Sequence, residues 1–343
     1  MKHFISAEQL THPQVEDFFI AADEFRRLDR ESLESRKELA GRHIGRQLIS
    51  LFYEPSTRTR LSFELAATKL GIGVVSTENA REFSSAAKGE TIEDTIRNLA
   101  EYNADLLVMR HHETGAAARA VAVAPDHMAI INAGDGKGEH PTQALLDAYT
   151  IRNHTGGLNG VDIVLGGDLR QGRTARSLAK LLASYEGNTF TFVSAPGFEM
   201  GEDVKRYLDE RGTSWRETSD VHDAVQEADV VYWTRLQRER LEQNNSDTTL
   251  QNIATFFQRV TGLDLGALSQ PKAKTTAQDA HFIIDASVMQ SMRPDAILMH
   301  PLPRVDEITY EVDDDPRAQY FRQAGNGLYI RMALLDYFLG QSS

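Results

Sequence analysis

The sequence predicts an α/β protein made of two domains, each a parallel sheet flanked by helices. Its 343 residues exceed what one ordinary core accommodates and suit two domains. Short apolar runs alternate with longer amphipathic segments, the pattern of parallel strands joined by right-handed helical crossovers. The alternation starts again near position 150. We therefore expect two Rossmann-like domains, at residues 1–150 and 151–319.

Elements of the first domain are recognised by the spacing of their apolar residues. Residues 60–70 have helical spacing and stop at Gly71, a common helix terminator. Pro141 stands in a helical first turn, where proline is tolerated. The predicted strands are 105–109 and 128–132, and the predicted helices are 60–70, 90–102 and 140–151.

The second domain repeats the alternation after residues 153–157, a plausible link. An apolar helix over 327–339, in a C-terminal segment of about 320–343, is expected to pack back on the first domain. Residues 242–275, approximately, break the alternation, and we interpret them as an insertion formed by a loop with a short helix. The predicted strands are 162–165, 189–193, 230–234 and 296–299, and the predicted helices are 174–185, 202–211 and 221–228.

Composition and charge exclude several classes of function. A net charge of -13 argues against nucleic acid as a partner, since binding its backbone needs a cationic face. The absence of cysteine rules out disulfides, iron–sulfur clusters and thiol nucleophiles. The N-terminal residues lack an apolar stretch of signal-peptide length, and no apolar run is long enough to span a membrane. We expect a cytoplasmic protein with no membrane partner, no metal and no cofactor.

Residues 56–60 (STRTR) combine hydroxyl groups with arginines at the start of a predicted helix. Backbone N–H groups at a helix N-terminus attract anions, and the arginine fork fits phosphate. The simpler alternative is a Ser/Thr helix cap followed by solvated arginines. The full run EPSTRTRLSFE is more specific than a lone cap, so it favours an anion site.

Two later segments follow predicted strands, and open α/β sheets bind ligands at the carboxyl ends of strands. His140 and Gln143 lie one helical turn apart and can reach the same small group. In residues 300–304 (HPLPR) two prolines fix the backbone, so that carbonyl oxygens can face N–H groups of a ligand. A cis bond before Pro303 is an option. The alternatives are a capping or core histidine and a plain proline loop.

Three arginines, Arg110, Arg173 and Arg235, stand at junctions between strands and helices. Together they can converge on carboxylates and phosphate, whereas each alone would be a surface ion pair. Lys88 lies in residues 84–89, a run of small residues suited to a mobile lid.

Other cofactor motifs are incomplete. Residues 166–172 lie between a strand and a helix but lack the GxGxxG spacing, and no GxxxxGK[ST] run is present. A dinucleotide oxidoreductase is therefore a weaker hypothesis. His111 and His112 form too short an array to predict a metal site.

Together these strings resemble the aspartate/ornithine carbamoyltransferase family across nearly the whole chain. Two features favour aspartate over ornithine as the acceptor: Glu54 and Pro55 precede STRTR, and Pro301 follows His300 where ornithine enzymes typically carry cysteine. The matching segments are 52–60, 86–95, 108–118, 131–147, 167–178, 234–241, 300–308 and 323–335.

The resemblance implies transfer of the carbamoyl group of carbamoyl phosphate to the amino group of L-aspartate, the committed step of pyrimidine synthesis. It implies a homotrimer in which Lys88 reaches the active site of a neighbouring subunit. The implied catalytic residues are Arg58, Thr59, Lys88, Arg110 and His140. The implied carbamoyl phosphate ligands are Ser56, Thr57, Arg58, Thr59, Arg110, His140, Gln143, Leu302 and Pro303, and the implied aspartate ligands are Lys88, Arg173, Arg235 and Gln237.

The chain also departs from the family pattern. Arg235 and His300 lie 65 positions apart, more than is usual, and the extra residues fall in the loop expected to bind the acceptor. The alternative is therefore a carbamoyltransferase that acts on ornithine or another amino acid. A catalytically silent phosphate-binding protein would have lost some of the cationic residues, and all are present. The sequence leaves open whether regulatory chains or nucleotide effectors bind.

Overall fold

The computed structural model describes residues 1–80, 88–235 and 282–340. The strands in this part of the chain form two sheets, and every pairing in them is parallel. The first sheet has the order β2-β1-β3-β4 and the second β7-β6-β5-β8-β9. The strands are β1 Gln47–Phe52, β2 Gly73–Thr77, β3 Leu106–His111, β4 Ala129–Asp135, β5 Asp162–Gly166, β6 Thr189–Val193, β7 Ser214–Thr218, β8 Val230–Trp233 and β9 Ile297–Met299.

Helices join the strands and cover the faces of both sheets. The parallel pairing requires these crossovers, and they bring the carboxyl ends of the strands to one edge. The helices are α1 His12–Glu31, α2 Leu33–Gly41, α3 Thr57–Lys69, α4 Ile92–Ala100, α5 Ala116–Val123, α6 Pro141–Thr155, α7 Arg173–Leu182, α8 Glu202–Asp209, α9 Val221–Val225, α10 Ala286–Ser291 and α11 Tyr320–Gly340. Within the described residues, none of these helices has the length and apolarity that crossing a membrane requires.

The C-terminal helix α11 packs against α1, α3 and α6. Phe63 of α3, Tyr149 of α6 and Leu334 of α11 are fully buried in the same apolar core. The expectation that the last helix returns to the first domain is therefore confirmed, and so is the predicted fold class.

Several element boundaries differ from the predicted ones. Helix α3 begins at Thr57 and not at residue 60, so the STRTR run forms the first helical turn and does not precede it. Helix α6 extends into the predicted link at residues 153–157. It ends at Thr155 and is followed by Gly156, whose φ of 80° suits glycine. Helix α11 begins at Tyr320, seven residues before the predicted start. The predicted insertion at residues 242–275 lies outside the described residues.

Candidate active site

A cavity of about 690 Å³ lies between the two sheets, at the carboxyl ends of their strands. Five arginines line it and, among the described lining residues, there is no carboxylate. A cleft this cationic in a chain of net charge -13 indicates a site for anions. The predicted site residues that line it are Ser56, Thr57, Arg58, Thr59, Arg110, His140, Gln143, Arg173, Arg235, Leu302 and Pro303.

Three helices begin at this cavity. The residues that precede α3, α6 and α7 are Ser56, His140 and Gly172, and none of them caps its helix with a side-chain hydrogen bond. The first N–H groups of an α-helix have no partner within the helix, and its N-terminus carries partial positive charge. Three positive helix ends therefore face one space, which adds to the field of the arginines.

The two arginines of the STRTR run face different ways. Arg58 lines the cavity, and its guanidinium has no hydrogen bond or ion pair among the described residues. Arg60 is tied away from the cavity, with Nη1 3.2 Å from Glu64 Oε1 and Nη2 3.1 Å from Glu78 Oε2. The anion-binding interpretation of the whole run is thus corrected: residues 56–59 face the cavity and Arg60 does not.

Arg110 and Arg173 approach each other beside Gly134. A Cβ at position 134 would lie 3.0 Å from Cζ of Arg173 and 3.2 Å from Nη1 of Arg110, and the φ of Gly134 is 118°. Only glycine leaves room here for both guanidinium groups. Glu54 Oε2 lies 3.6 Å from Arg110 and 3.7 Å from Arg173, so one carboxylate partly offsets the repulsion between the two cations.

His140 is a buried neutral base at the start of α6. Burial, and then the charges of Arg173, Arg110 and Arg331, hold its pKa well below the usual value. A neutral imidazole can donate one N–H to a ligand without adding a further charge. Its backbone N–H donates to Ser177 Oγ on α7 at 3.0 Å, so a residue from the second half of the chain fixes its position.

The predicted proline turn after β9 is present, with a cis bond between Leu302 and Pro303. The Leu302 N–H donates to His300 Nδ1 at 2.8 Å. Nδ1 is therefore the acceptor nitrogen, and Nε2 carries the proton that is donated to Glu307 Oε1 at 2.9 Å. These bonds hold the turn at the cavity wall.

Arg331 of α11 also lines the cavity, although it is not among the site residues predicted from the sequence. Its side chain is fully buried, it lies 5.1 Å over the ring of Phe63, and burial lowers its pKa to about 10. The signal was present in the sequence: Arg331 is the only charged residue between Leu328 and Leu335. A lone cation in an apolar helix must have a buried partner or face a polar cavity.

Two predicted aspartate ligands are not among the described residues that line this cavity. Lys88 is exposed and is not among the residues that line the cavity of its own chain. Gln237 lies outside the described residues, as does the predicted lid at residues 84–89 apart from Lys88 and Gly89.

In the described part of the chain, one group of residues has metal-ligand spacing. The ligand atoms of His111, His112 and Glu113 lie within 4.8 Å of one another. His111 Nδ1 already accepts the backbone N–H of Glu113 at 3.0 Å. Three consecutive residues leave a four-ligand zinc shell incomplete, so this group supports no metal assignment.

The fold and the site define a two-domain α/β protein that binds small anions between two parallel sheets. Each half of the chain matches a family model. Residues 2–153 match the carbamoyl-P binding domain of aspartate/ornithine carbamoyltransferase, and residues 159–338 match its Asp/Orn binding domain. The chain belongs to the aspartate/ornithine carbamoyltransferase family.

Relatives and solved structures are similar along the whole chain. The chloroplastic aspartate carbamoyltransferase of Arabidopsis thaliana is 48% identical over 98% of this chain and 77% of its own length. The catalytic subunit of the M. jannaschii aspartate transcarbamoylase has a TM-score of 0.80 at 35% identity and covers 99% of both chains. The Trypanosoma cruzi enzyme in complex with carbamoyl phosphate has a TM-score of 0.80 at 37% identity, over 98% of this chain and 95% of that one.

Proposed function

We propose that this protein transfers the carbamoyl group of carbamoyl phosphate to the α-amino group of L-aspartate, giving N-carbamoyl-L-aspartate and phosphate. The observation that carries the proposal is the single cavity into which three helix N-termini and five arginines converge beside a rigid proline turn. Both substrates are anions, and the reaction needs them held side by side. The similarity to a relative solved with carbamoyl phosphate supports the same donor here.

The phosphate is held at the start of α3. Ser56, Thr57 and Thr59 offer hydroxyl groups, and the open N–H groups of the first turn point the same way. Arg58 is the cation available there, because it has no partner among the described residues. Arg110 supplies a second cation from the end of β3.

The carbamoyl group lies between α6 and the proline turn. Its oxygen becomes negative as the tetrahedral intermediate forms, and His140, Thr59 and Arg110 are the donors at that point. Its NH₂ group requires acceptors, which Gln143 and the carbonyls of the proline turn provide.

The carboxylates of aspartate bind to Arg173 and Arg235 on the side of the cavity nearer the second sheet. Arg173 is nearly fully buried and donates to the Gly136 carbonyl at 2.9 Å, so its fork is already oriented. We expect Gln237, and Lys88 from a neighbouring subunit, to complete this part of the site.

Chemistry then follows from position. The neutral amine forms a bond to the carbamoyl carbon, the bond from that carbon to the phosphate oxygen breaks, and its electron pair leaves with phosphate. One proton must leave the amine. We assign it to the departing phosphate, because the described lining has no carboxylate and the low pKa of His140 makes this imidazole a weak base.

A homotrimer with shared active sites is part of the proposal. Two observations support it. Lys88 is exposed and is not among the residues that line its own cavity, and the apolar side chains of Leu61 and Leu65, at the cavity, and of Val75, on the edge strand β2, are exposed. Such apolar surface is typical of a subunit contact. A cytoplasmic location, a role in pyrimidine synthesis and the binding of regulatory chains stay predictions.

The test compares acceptors and then two arginines of one motif. Purified protein should carbamoylate aspartate, with ornithine and acylated ornithines far slower. Arg58→Ala should lower kcat/KM about 100- to 1000-fold, since it removes a cation that faces the phosphate, and the trimer should survive. Arg60→Ala is the matched control, because Arg60 pairs with Glu64 and Glu78 outside the cavity; its activity should stay within about tenfold. Equal losses in both variants, or preference for ornithine, would contradict the proposal.

A further inference from the structure

Asp147 is a fully buried carboxyl group beneath the cavity and does not line it. Three side chains from three elements donate to it: Gln143 of α6, Tyr232 of β8 and Gln323 of α11. A buried acid costs free energy unless such bonds compensate for it. These bonds therefore tie α6, which carries Asp147, to the second sheet and to the C-terminal helix.

The two carboxyl oxygens have different partners. Oδ1 accepts from Gln143 Nε2 at 2.9 Å and from Gln323 Nε2 at 2.6 Å, whereas Oδ2 accepts from the Tyr232 hydroxyl at 2.9 Å. Burial raises the pKa of Asp147 to about 7. Both amide nitrogens can only donate, and of the three partner atoms only the Tyr232 hydroxyl oxygen can also accept, so a proton on the acid resides on Oδ2. Oδ1 stays an acceptor for both amides in either charge state.

The hydrogen-bond partners also fix which end of the Gln323 and Gln143 side-chain amides faces Asp147. The backbone N–H of His300 can only donate, and it donates to Gln323 Oε1 at 2.9 Å. Gln323 therefore presents its nitrogen to Asp147. Gln143 likewise presents its nitrogen to Asp147, which leaves its Oε1 for the cavity that it lines.

We propose that Asp147 is a positioning residue that selects the carbamoyl NH₂ group, by turning the acceptor end of the Gln143 amide toward the ligand and by anchoring the proline turn through Gln323. This inference rests on the proposed function. The two acceptors for the NH₂ group, Gln143 Oε1 and the carbonyls after His300, then share one anchor. Loss of that anchor lets the Gln143 amide rotate and present N–H groups to N–H groups.

A matched pair of ligands tests this role of Asp147 directly. Phosphonoacetamide and acetonylphosphonate are stable phosphonates that differ only in carrying NH₂ or CH₃ beside the carbonyl. A merely structural role of Asp147 would weaken both ligands alike, while loss of the acceptors weakens only the amide. The ratio of the two dissociation constants, measured by titration calorimetry, is therefore the observable, and it does not require turnover.

Asp147→Leu should reduce the preference for the amide about tenfold. Asp147→Asn should keep it within about threefold, because the asparagine carbonyl can accept from both amides while its NH₂ donates to Tyr232, as the protonated acid does. Gln143→Leu should lower the preference as far as Asp147→Leu does, and the double variant should go no further. An unchanged preference in Asp147→Leu, or full loss in Asp147→Asn, would overturn the proposal.

Two further variants complete the design. Tyr232→Phe removes the bond to Oδ2 only, so it should lower stability and leave the preference unchanged. Should Asp147→Leu fail to fold, Gln323→Leu tests the same link, since it frees the His300 N–H; an unchanged preference there also overturns the idea. If the wild-type protein binds neither phosphonate, the proposed function fails; if it binds both and prefers the amide, only the role of Asp147 is being tested.

Discussion

The arginines of the cavity are held by different environments. Arg58 is unpaired among the described residues, Arg173 donates to a backbone carbonyl, and Arg331 is buried over an aromatic ring. A site built this way is electrostatically unfavourable until an anion arrives. Phosphate alone should therefore stabilise the fold.

His140 gives a pH prediction at this scale. Its folded-state pKa lies well below that of the unfolded chain, about 6.5, so below that pH the unfolded state binds a proton that the native state does not. The contribution of His140 to the free energy of unfolding is fully present above pH 6.5. It is lost as the pH falls, by about 1.4 kcal/mol per pH unit for one proton.

His140→Asn removes that titration, and urea unfolding of both proteins isolates it. The stability of the wild type relative to the variant should fall between pH 6.5 and 5.5. The comparison also cancels the pH-dependent contribution of Asp147 to stability, which has the opposite sign because its pKa is raised. A difference that stays constant over this range would show that His140 ionises normally in the folded protein.

Most of the site residues predicted from motifs line the cavity, and the failures have physical causes. Arg58 and Arg60 have the same side chain. They differ in their rotation about the helix axis, so Arg58 lies in the cavity lining and Arg60 pairs with Glu64. Arg331 and Asp147 lie in apolar stretches, where periodicity indicates core and says nothing of a partner across the fold. Long-range contacts of this kind are not encoded in local spacing.

At the scale of elements, the start of α6 depends on α7. Ser177 of α7 accepts the His140 backbone N–H at 3.0 Å and donates to Glu139 Oε2 at 2.7 Å. A hydroxyl from the second half of the chain therefore sets the entry of the helix that carries both His140 and Gln143. This contact couples the packing of two helices to the position of His140 at the cavity.

Ser177→Ala should leave the His140 N–H buried without an acceptor, which costs about 1–3 kcal/mol of stability. Because His140 then shifts, kcat should fall about tenfold. Ser50→Ala is the matched control: Ser50 is also fully buried, and it donates to Glu64 Oε1, outside the cavity. Both variants should lower the melting temperature, and only Ser177→Ala should slow turnover. Equal turnover in the two variants would separate the Ser177 contact from catalysis.

The elements themselves were predicted where their pattern is strong. Strand β6 lies at residues 189–193 as predicted, whereas the edge strand β7, Ser214–Thr218, was missed because it has no apolar run. Helix α1 was also missed, although Thr11 and Gln14 form a capping box and Phe18, Phe19 and Ala22 are buried at helical spacing. Secondary-structure propensity alone does not show which faces of these edge elements are covered by the rest of the protein.

On the scale of the molecule, two parallel sheets contribute opposite walls of one cavity. The first half of the chain lines it with the starts of α3 and α6, and the second half lines it with Arg173, Arg235 and the proline turn. Helix α11 crosses back, and through Gln323 and Arg331 it brings the end of the chain to the same place. Binding of both substrates therefore draws on distant parts of the sequence, and any change in the angle between the sheets alters the site.

The proposed trimer with shared active sites leads to the last prediction. If Lys88 completes a neighbour's site, Lys88→Ala and His140→Ala should each be nearly inactive alone, yet mixed trimers contain sites with an intact His140 from one subunit and an intact Lys88 from the next. Random exchange of equal amounts makes about one quarter of the sites complete, so roughly that share of wild-type activity should return. Arg58→Ala mixed with His140→Ala is the control, because both residues line the cavity of one chain and no mixed site is whole. Absence of recovery in the first mixture would place Lys88 in its own subunit's site. Recovery in the control mixture would show that Arg58 and His140 reach one site from different subunits.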